Sequence, residues 1–213
     1  MISPNKYEIR SYNKQFTHKD KEAVMRRLEK EFKYLKKNKD SGVEVKLVNN
    51  DYRHWKGRIK GLIDTCYEGG IFDVDITIPD DYPFKPPTMK FDTKIWHPNI
   101  SSVTGYVCAD IFEDQWSPAY TIGFALESLK VFMCEPEPKN PQDAVVAKQY
   151  LTDINLFKET VKQWVKKYAN PETIYQEKIK EIIDMGFTEQ QAKEALEVSD
   201  EDVERAINYL VSG

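Results

Sequence analysis

The chain predicts an α+β fold with an antiparallel sheet, followed by a small all-helical domain. Three observations carry that expectation. A helical period runs from Asp20 to Lys37, short alternating segments follow with no helix between them, and helical periodicity returns at Thr121. Because no helix separates the strands, a parallel doubly wound sheet is disfavoured.

Residues 1–19 read as a polar N-terminal extension without a period. In the first helix Val24, Leu28, Phe32 and Leu35 share one face, while Arg26, Lys30, Lys33 and Lys37 fall within an arc of about 60° opposite. Asn38 to Gly42 supplies the stop. Strands are expected at Val43–Val48, His54–Leu62, Gly70–Ile78 and Thr88–Phe91. The third is the clearest: Phe72, Val74, Ile76 and Ile78 alternate with Asp73, Asp75 and Thr77, so one face is buried and one is wet. Asp64 to Gly70 is a turn cluster, and four prolines between Pro79 and Pro87 keep that segment extended and irregular.

From Thr121 an apolar stripe of Phe124/Ala125, Leu129 and Phe132/Met133 marks a helix that stops before Pro136. Further helices are expected at Gln142–Tyr150 and at Ile154–Tyr168, the latter with Phe157, Val161, Trp164 and Val165 inward. Asn170 as N-cap and Pro171 at the first helical position then open a new unit. Residues 20–168 form the main domain, 169–171 the linker and 172–213 a small one. In that last domain Gly186 ends a helix bearing Ile179, Ile182, Ile183 and Met185. Thr188-Glu189-Gln190-Gln191 is a capping box before a second helix with Ala192, Ala195 and Leu196. Ser199-Asp200-Glu201-Asp202 opens a third with Val203, Ile207 and Leu210.

At 213 residues the chain suits one medium domain plus a small one. No apolar run approaches the ~18 residues of a membrane span, and the charged, aromatic first twenty residues do not read as a secretory signal. Cys66, Cys108 and Cys134 are too few for a disulfide framework and lack metal-type spacing, which points to a reducing compartment, cytosol or nucleus. The net charge of −4 is asymmetric: residues 172–213 carry four basic and eleven acidic residues, and the rest carry 27 and 24. The basic charge is local, unlike a nucleic-acid footprint, so neither a nucleic acid nor a membrane is an expected partner.

The chemistry concentrates in Trp96-His97-Pro98-Asn99-Ile100 and Gly105-Tyr106-Val107-Cys108-Ala109-Asp110. A potential nucleophile, Cys108, lies near a side-chain amide, Asn99, able to donate to an oxyanion. Pro79-Asp80-Asp81-Tyr82-Pro83-Phe84-Lys85-Pro86-Pro87 precedes this stretch and Asp114-Gln115-Trp116-Ser117-Pro118-Ala119 follows it. Cys134, after Phe132 and Met133, reads as a small packing residue, and Cys66 as incidental. In this order and spacing, from Glu22 to Tyr168, the motifs resemble the catalytic core of ubiquitin-conjugating enzymes. The C-terminal three-helix frame, with Met185-Gly186-Phe187 as its signature loop, resembles a ubiquitin-associated (UBA) domain.

The resemblance implies that Cys108 carries ubiquitin as a thioester received from the ubiquitin-activating enzyme. It implies transfer to lysine amines and the building of polyubiquitin chains by a monomeric enzyme without a cofactor or metal. Thioester exchange is nearly balanced in energy. Attack by lysine is harder, since an amine of pKa ~10.4 is neutral about once in 2,500 molecules at pH 7. Asn99 either donates to the oxyanion or braces the loop, and the two roles are compatible. His97, between Trp96 and Pro98, reads as holding the turn. Asn140 stands where many relatives place an Asp or Ser that gates the lysine; an amide orients an amine but cannot take its proton. Deprotonation would then fall to Glu137, Asp143, Asp110 or water. Ala109 replaces the usual Leu after the cysteine.

The same resemblance assigns Arg26, Lys30 and Lys33, with Lys37, to docking the activating enzyme. It assigns Phe84, Pro118 and Ala119 to ligases of the RING or U-box type, with core packing of Phe84 as the alternative. Met185, Gly186, Phe187, Tyr209 and Leu210 correspond to the UBA surface that grips ubiquitin, although Phe187 closing the small core is an alternative. Three rival readings stay open: an inactive ubiquitin receptor, a Cys–His hydrolase using His97, and a conjugator of another ubiquitin-like modifier.

Overall fold

The computed structural model describes residues 18–38, 42–108 and 116–212; most of the expected N-terminal extension, Ala109, Asp110, Asp114 and Gln115 lie outside them. Helix α1 spans His18–Lys37. Val24, Leu28 and Leu35 are buried, and Phe32 meets Tyr52 and Trp55 edge-on.

Strands β1 (Val43–Val48) and β2 (Asp51–Lys60) are antiparallel and joined by Asn49-Asn50. Both asparagines sit in the left-handed region, at φ 50° and 58°, the backbone twist that a two-residue hairpin requires. That turn draws Asp51 to Arg53 into β2, which starts three residues before His54 and ends at Lys60 rather than Leu62. β3 (Ile71–Thr77) and β4 (Thr88–Phe91) complete an antiparallel sheet in the order β1-β2-β3-β4. The α+β fold with about four antiparallel strands is therefore the one the sequence predicts.

Alternation assigns the two faces of the sheet. Val45, Trp55, Ile59, Phe72, Val74, Ile76, Met89 and Phe91 are buried beneath α1 and helix α2 (Ile122–Phe132). Gly57 sits in this layer because a Cβ there would come within 2.8 Å of Leu126. The wet face is a charge ladder set by register: Arg58 pairs in two bonds with its cross-strand neighbour Asp73, and Lys56 pairs with Asp75.

Thr121 caps α2 by accepting from the Phe124 N–H, and Ile122, Ala125, Leu126 and Leu129 form its buried side, with Met133 just beyond. Phe124 departs from the expected stripe. At 100° per residue it lies opposite Ile122, Leu126 and Leu129, so it faces outward and stacks on Tyr120 with ring centroids 4.1 Å apart. Helices α3 (Ala144–Thr152) and α4 (Ile154–Trp164) follow. The expected continuation to Tyr168 widens into a π-turn over Val165–Ala169, which buries Val165 and Ala169. Phe157 and Val161 are buried as expected, while Trp164 is half-buried against Trp96.

Asn170 then accepts from the Glu172 and Thr173 N–H groups and starts α5 (Pro171–Asp184). With α6 (Glu189–Val198) and α7 (Val203–Ser212) it encloses a separate core of Ile179, Ile182, Ala192, Ala195, Leu196 and Ala206. The Thr188–Gln191 capping box is formed in both directions. Among the described residues, no helix is long and apolar enough to cross a membrane.

Candidate active site and partner surfaces

Residues 97–108 form an irregular hairpin. Ile100 bridges Val107, the Cys108 N–H donates to the Asn99 carbonyl at 3.1 Å, and Ser101 N–H donates to Tyr106 O at 3.0 Å. Asn99 and Cys108, nine residues apart in sequence, thus lie opposite each other. Gly105 makes the return possible with φ of 77°. Its carbonyl accepts from Phe91 N–H at 2.8 Å, while Val107 N–H donates to Met89 O, so the hairpin is pinned to β4.

The other wall is the segment 137–143. Asn99 Nδ2 donates to Glu137 O at 2.9 Å and Asn140 O at 2.8 Å, and Asn99 Oδ1 accepts from Glu137 N–H at 2.8 Å. Pro98 O accepts from the Gln142 and Asp143 N–H groups. Asp143 caps α3 through one oxygen and takes both the N–H and the hydroxyl of Ser102 on the other, the hydroxyl at 2.6 Å. Burial alone would raise the Asp143 pKa, but the Ser102 bonds and the helix amides outweigh it and hold the carboxyl below its ordinary value. Asp143 is a staple, poorly suited to taking a proton from lysine.

His97 is fully buried, and its Nδ1 accepts from the Asn99 N–H at 3.0 Å. Burial drives its pKa down to about 3, outweighing the opposing effect of the Phe132 backbone. The imidazole stays neutral with its Nδ1 engaged in the turn, which weighs against a Cys–His hydrolase. Cys108 is half-exposed. Burial pushes the Cys66 and Cys134 thiols up, which leaves them less nucleophilic. Glu137 and Asn140 are exposed; Asp110 and Ala109 fall outside the described residues. Among the described residues, no cluster of three or more His, Cys, Asp or Glu side chains suits a metal.

The residues that the resemblance assigns to partners are distributed over the surface. Arg26, Lys30, Lys33 and Lys37 all lie exposed on α1, with Arg26 paired to Glu22 at 3.5 Å and Lys33 to Glu29 at 2.6 Å. Phe84 is 67% exposed, so core packing is overturned for it, and Pro118 and Ala119 are exposed too. In the small domain Met185 and Tyr209 are exposed, whereas Phe187 and Leu210 are half-buried against its core. Gly186 turns the chain at φ 100°. The sequence reading missed Ser102 as a partner of Asp143, and Arg27 and Glu31 beside the basic stripe. Asp143 preceding a helical period was the readable cap signal. Nothing local marks the long-range partners.

The comparisons with known proteins agree with this geometry. Residues 27–165 match the family model for ubiquitin-conjugating enzyme, and residues 174–210 match that for the UBA/TS-N domain. The chain is 45% identical over 187 residues to ubiquitin-conjugating enzyme E2 27 of Arabidopsis thaliana, covering 87% of this chain and 97% of that one. It is 42% identical over 197 residues to ubiquitin-conjugating enzyme E2 K of Homo sapiens, covering 89% and 98%. Among solved structures it resembles the E2 domain of a Toxoplasma gondii ubiquitin conjugating enzyme, with a TM-score of 0.65 and 47% identity, covering 69% of this chain and 99% of that one. With a sheet, a hairpin thiol and an appended three-helix unit all accounted for, the chain belongs to the ubiquitin-conjugating enzyme family and carries a C-terminal UBA domain.

Proposed function

We propose that Cys108 accepts ubiquitin from the activating enzyme and passes it to lysine amines, extending polyubiquitin chains. In loading, the Cys108 sulfur attacks the carbonyl carbon of the incoming thioester and the activating enzyme's thiol departs. In discharge, a lysine nitrogen attacks the same carbon, the C–S bond breaks, an amide forms and the amine loses a proton. The observation that carries this reading is the half-exposed Cys108, whose backbone N–H is tied to Asn99 O inside a hairpin pinned on both sides.

Asn99 supports the bracing role first, because both polar atoms of its amide engage backbone groups of 137–140. Donation to an oxyanion would require Nδ2 to leave one of two carbonyls. Since Asp143 is committed to Ser102 and α3, proton removal falls to Glu137, Asp110 or water. Exposed Met185 and Tyr209 suit a ubiquitin contact, and the single-residue break at Asn170 keeps a bound ubiquitin close to the catalytic domain.

Cys108→Ser tests the reading directly. With activating enzyme, ATP and ubiquitin, the wild-type chain is expected to form a reductant-sensitive adduct and Cys108→Ser a reductant-resistant ester. Persistence of the reductant-sensitive adduct in the variant sinks the assignment. Failure of the wild type to charge favours the receptor reading, and charging by a different modifier favours that variant.

A further inference from the structure

We propose that Arg27 is a positioning residue for ligase-stimulated transfer: from α1 it locks the backbone of residues 118–120 to the Phe84 loop, so that both arms of the ligase patch present one rigid surface. The inference rests on the reading of Phe84, Pro118 and Ala119 as that patch.

The guanidinium makes three bonds in three directions. Nη1 donates to Pro118 O at 2.7 Å, Nη2 to Tyr120 O at 2.6 Å and Nε to Glu31 Oε1 at 2.7 Å. Glu31, buried one turn on, also accepts from the Tyr82 hydroxyl at 2.8 and 3.0 Å and from Ile122 N–H, at the start of α2, at 2.8 Å. Tyr82 sits two residues before Phe84, and its ring lies under the Arg27 guanidinium at 5.2 Å. Burial, reinforced by the Glu31 carboxylate, raises the Tyr82 pKa, so the phenol stays a donor. Trp116 Nε1 closes the circuit by donating to Pro83 O at 2.7 Å. One turn of α1 therefore holds the Phe84 loop, the Pro118–Tyr120 loop and the first amide of α2 together.

Side-chain orientation separates Arg27 from its neighbours. Arg26, Lys30 and Lys33 are exposed, whereas the Arg27 head is turned onto two carbonyls of the protein's own loop. Phe84, Pro118 and Ala119 point outward from backbone that is tied inward. A loop pre-set in its bound shape loses less entropy on docking. Only a planar fork spans two carbonyls and a carboxylate at once; a lysine keeps the charge but not the fork.

The test uses the full chain and a panel of isolated RING domains, choosing one that accelerates discharge of the charged enzyme to free lysine. Arg27→Lys is expected to weaken RING binding about tenfold by calorimetry, and saturating RING should restore the discharge rate. Amide hydrogen exchange in 116–121 should accelerate while exchange in β3 does not. Trp116→Phe, which cuts the bond to the Pro83 arm and leaves Arg27 intact, should weaken RING binding in the same direction. That second variant keeps the test open should Arg27→Lys fold poorly. Wild-type RING affinity in both variants, with Phe84→Ala binding lost, overturns the positioning role while the patch stands. Unchanged binding by Phe84→Ala, or no active RING in the panel, defeats the ligase reading and this inference with it. A loss of RING affinity no larger than the loss of charging by activating enzyme marks a general structural defect and also overturns it.

Discussion

The amide of Asn99 grips the peptide of Glu137 from both sides, donating to its carbonyl at 2.9 Å and accepting from its N–H at 2.8 Å. A residue one expects to face the reacting carbon is thus the main fastener of the opposite wall. Asn99→Ala removes three bonds to this wall, to Glu137 N–H, Glu137 O and Asn140 O, each worth about 0.5–1.5 kcal/mol net.

Asn99→Ala is expected to charge with ubiquitin and to discharge to lysine more slowly, by about 10²–10³-fold where the amide also donates to the oxyanion and by less where it only braces the loop. Single-turnover assays of the two steps check this. Equal loss in both would mean that Asn99 only supports the fold.

Asp143→Ala removes the α3 cap and the tether on Ser102 together. Loss of a cap costs about 0.5–2 kcal/mol, and a urea melt should show it. Discharge is expected to slow more than charging, because the freed turn lies in the hairpin that presents Cys108.

Gly105→Ala places a Cβ against the Phe91 carbonyl at a backbone φ of 77°. The strained backbone alone costs about 1–3 kcal/mol, and the clash adds to it. The melting temperature should fall, and the charging rate with it, because the hairpin must leave β4 to relieve the contact.

His97 makes stability depend on pH in a defined direction. Its pKa is about 3 when folded and 6.5 ordinarily. Between those values the unfolded chain binds the extra proton, so stability is fully present above pH 6.5 and is lost as pH falls toward 3. The slope from one such group is at most about 1.4 kcal/mol per pH unit. His97→Asn, which keeps an acceptor for the Asn99 N–H, should reduce proton uptake on unfolding by about one across that window. Parallel curves of unfolding free energy against pH for the two proteins would refute it.

For the UBA domain, Met185→Ala and Tyr209→Ala are expected to weaken binding of ubiquitin to the full chain with melting changed little, since both are exposed. Phe187→Ala should lower melting instead, because that ring packs on the small core. Absence of NMR shifts in the UBA at millimolar ubiquitin removes the binding role.

Much of the architecture was legible because periodicity is a local property. The alternation in Phe72–Ile78 reports its buried face, the spacing of Val24, Leu28 and Leu35 reports theirs, and Asn170-Pro171 announces a helix start in two letters. The misreadings are of two kinds. The Asn49-Asn50 turn extends β2 because left-handed asparagines accept a hairpin that propensity does not reveal. Phe124 falls outside the apolar stripe because at 100° per residue it lies opposite Ile122, Leu126 and Leu129, which fill the buried face.

From the order of residues alone came the antiparallel sheet, the three-helix tail, Cys108 as the candidate nucleophile and the likeness to the family, since each depends on spacing within a short window or on motif order. Folding in three dimensions decided which partners the polar side chains around that thiol meet. Whether Asn99 points at a loop, Asp143 holds a serine, His97 is packed against the Phe132 ring or Arg27 turns inward depends on partners 38, 41, 35 and 91 residues away. Hydrogen bonding and desolvation act over a few ångströms of space, and nothing along the chain encodes which distant groups will arrive within that distance.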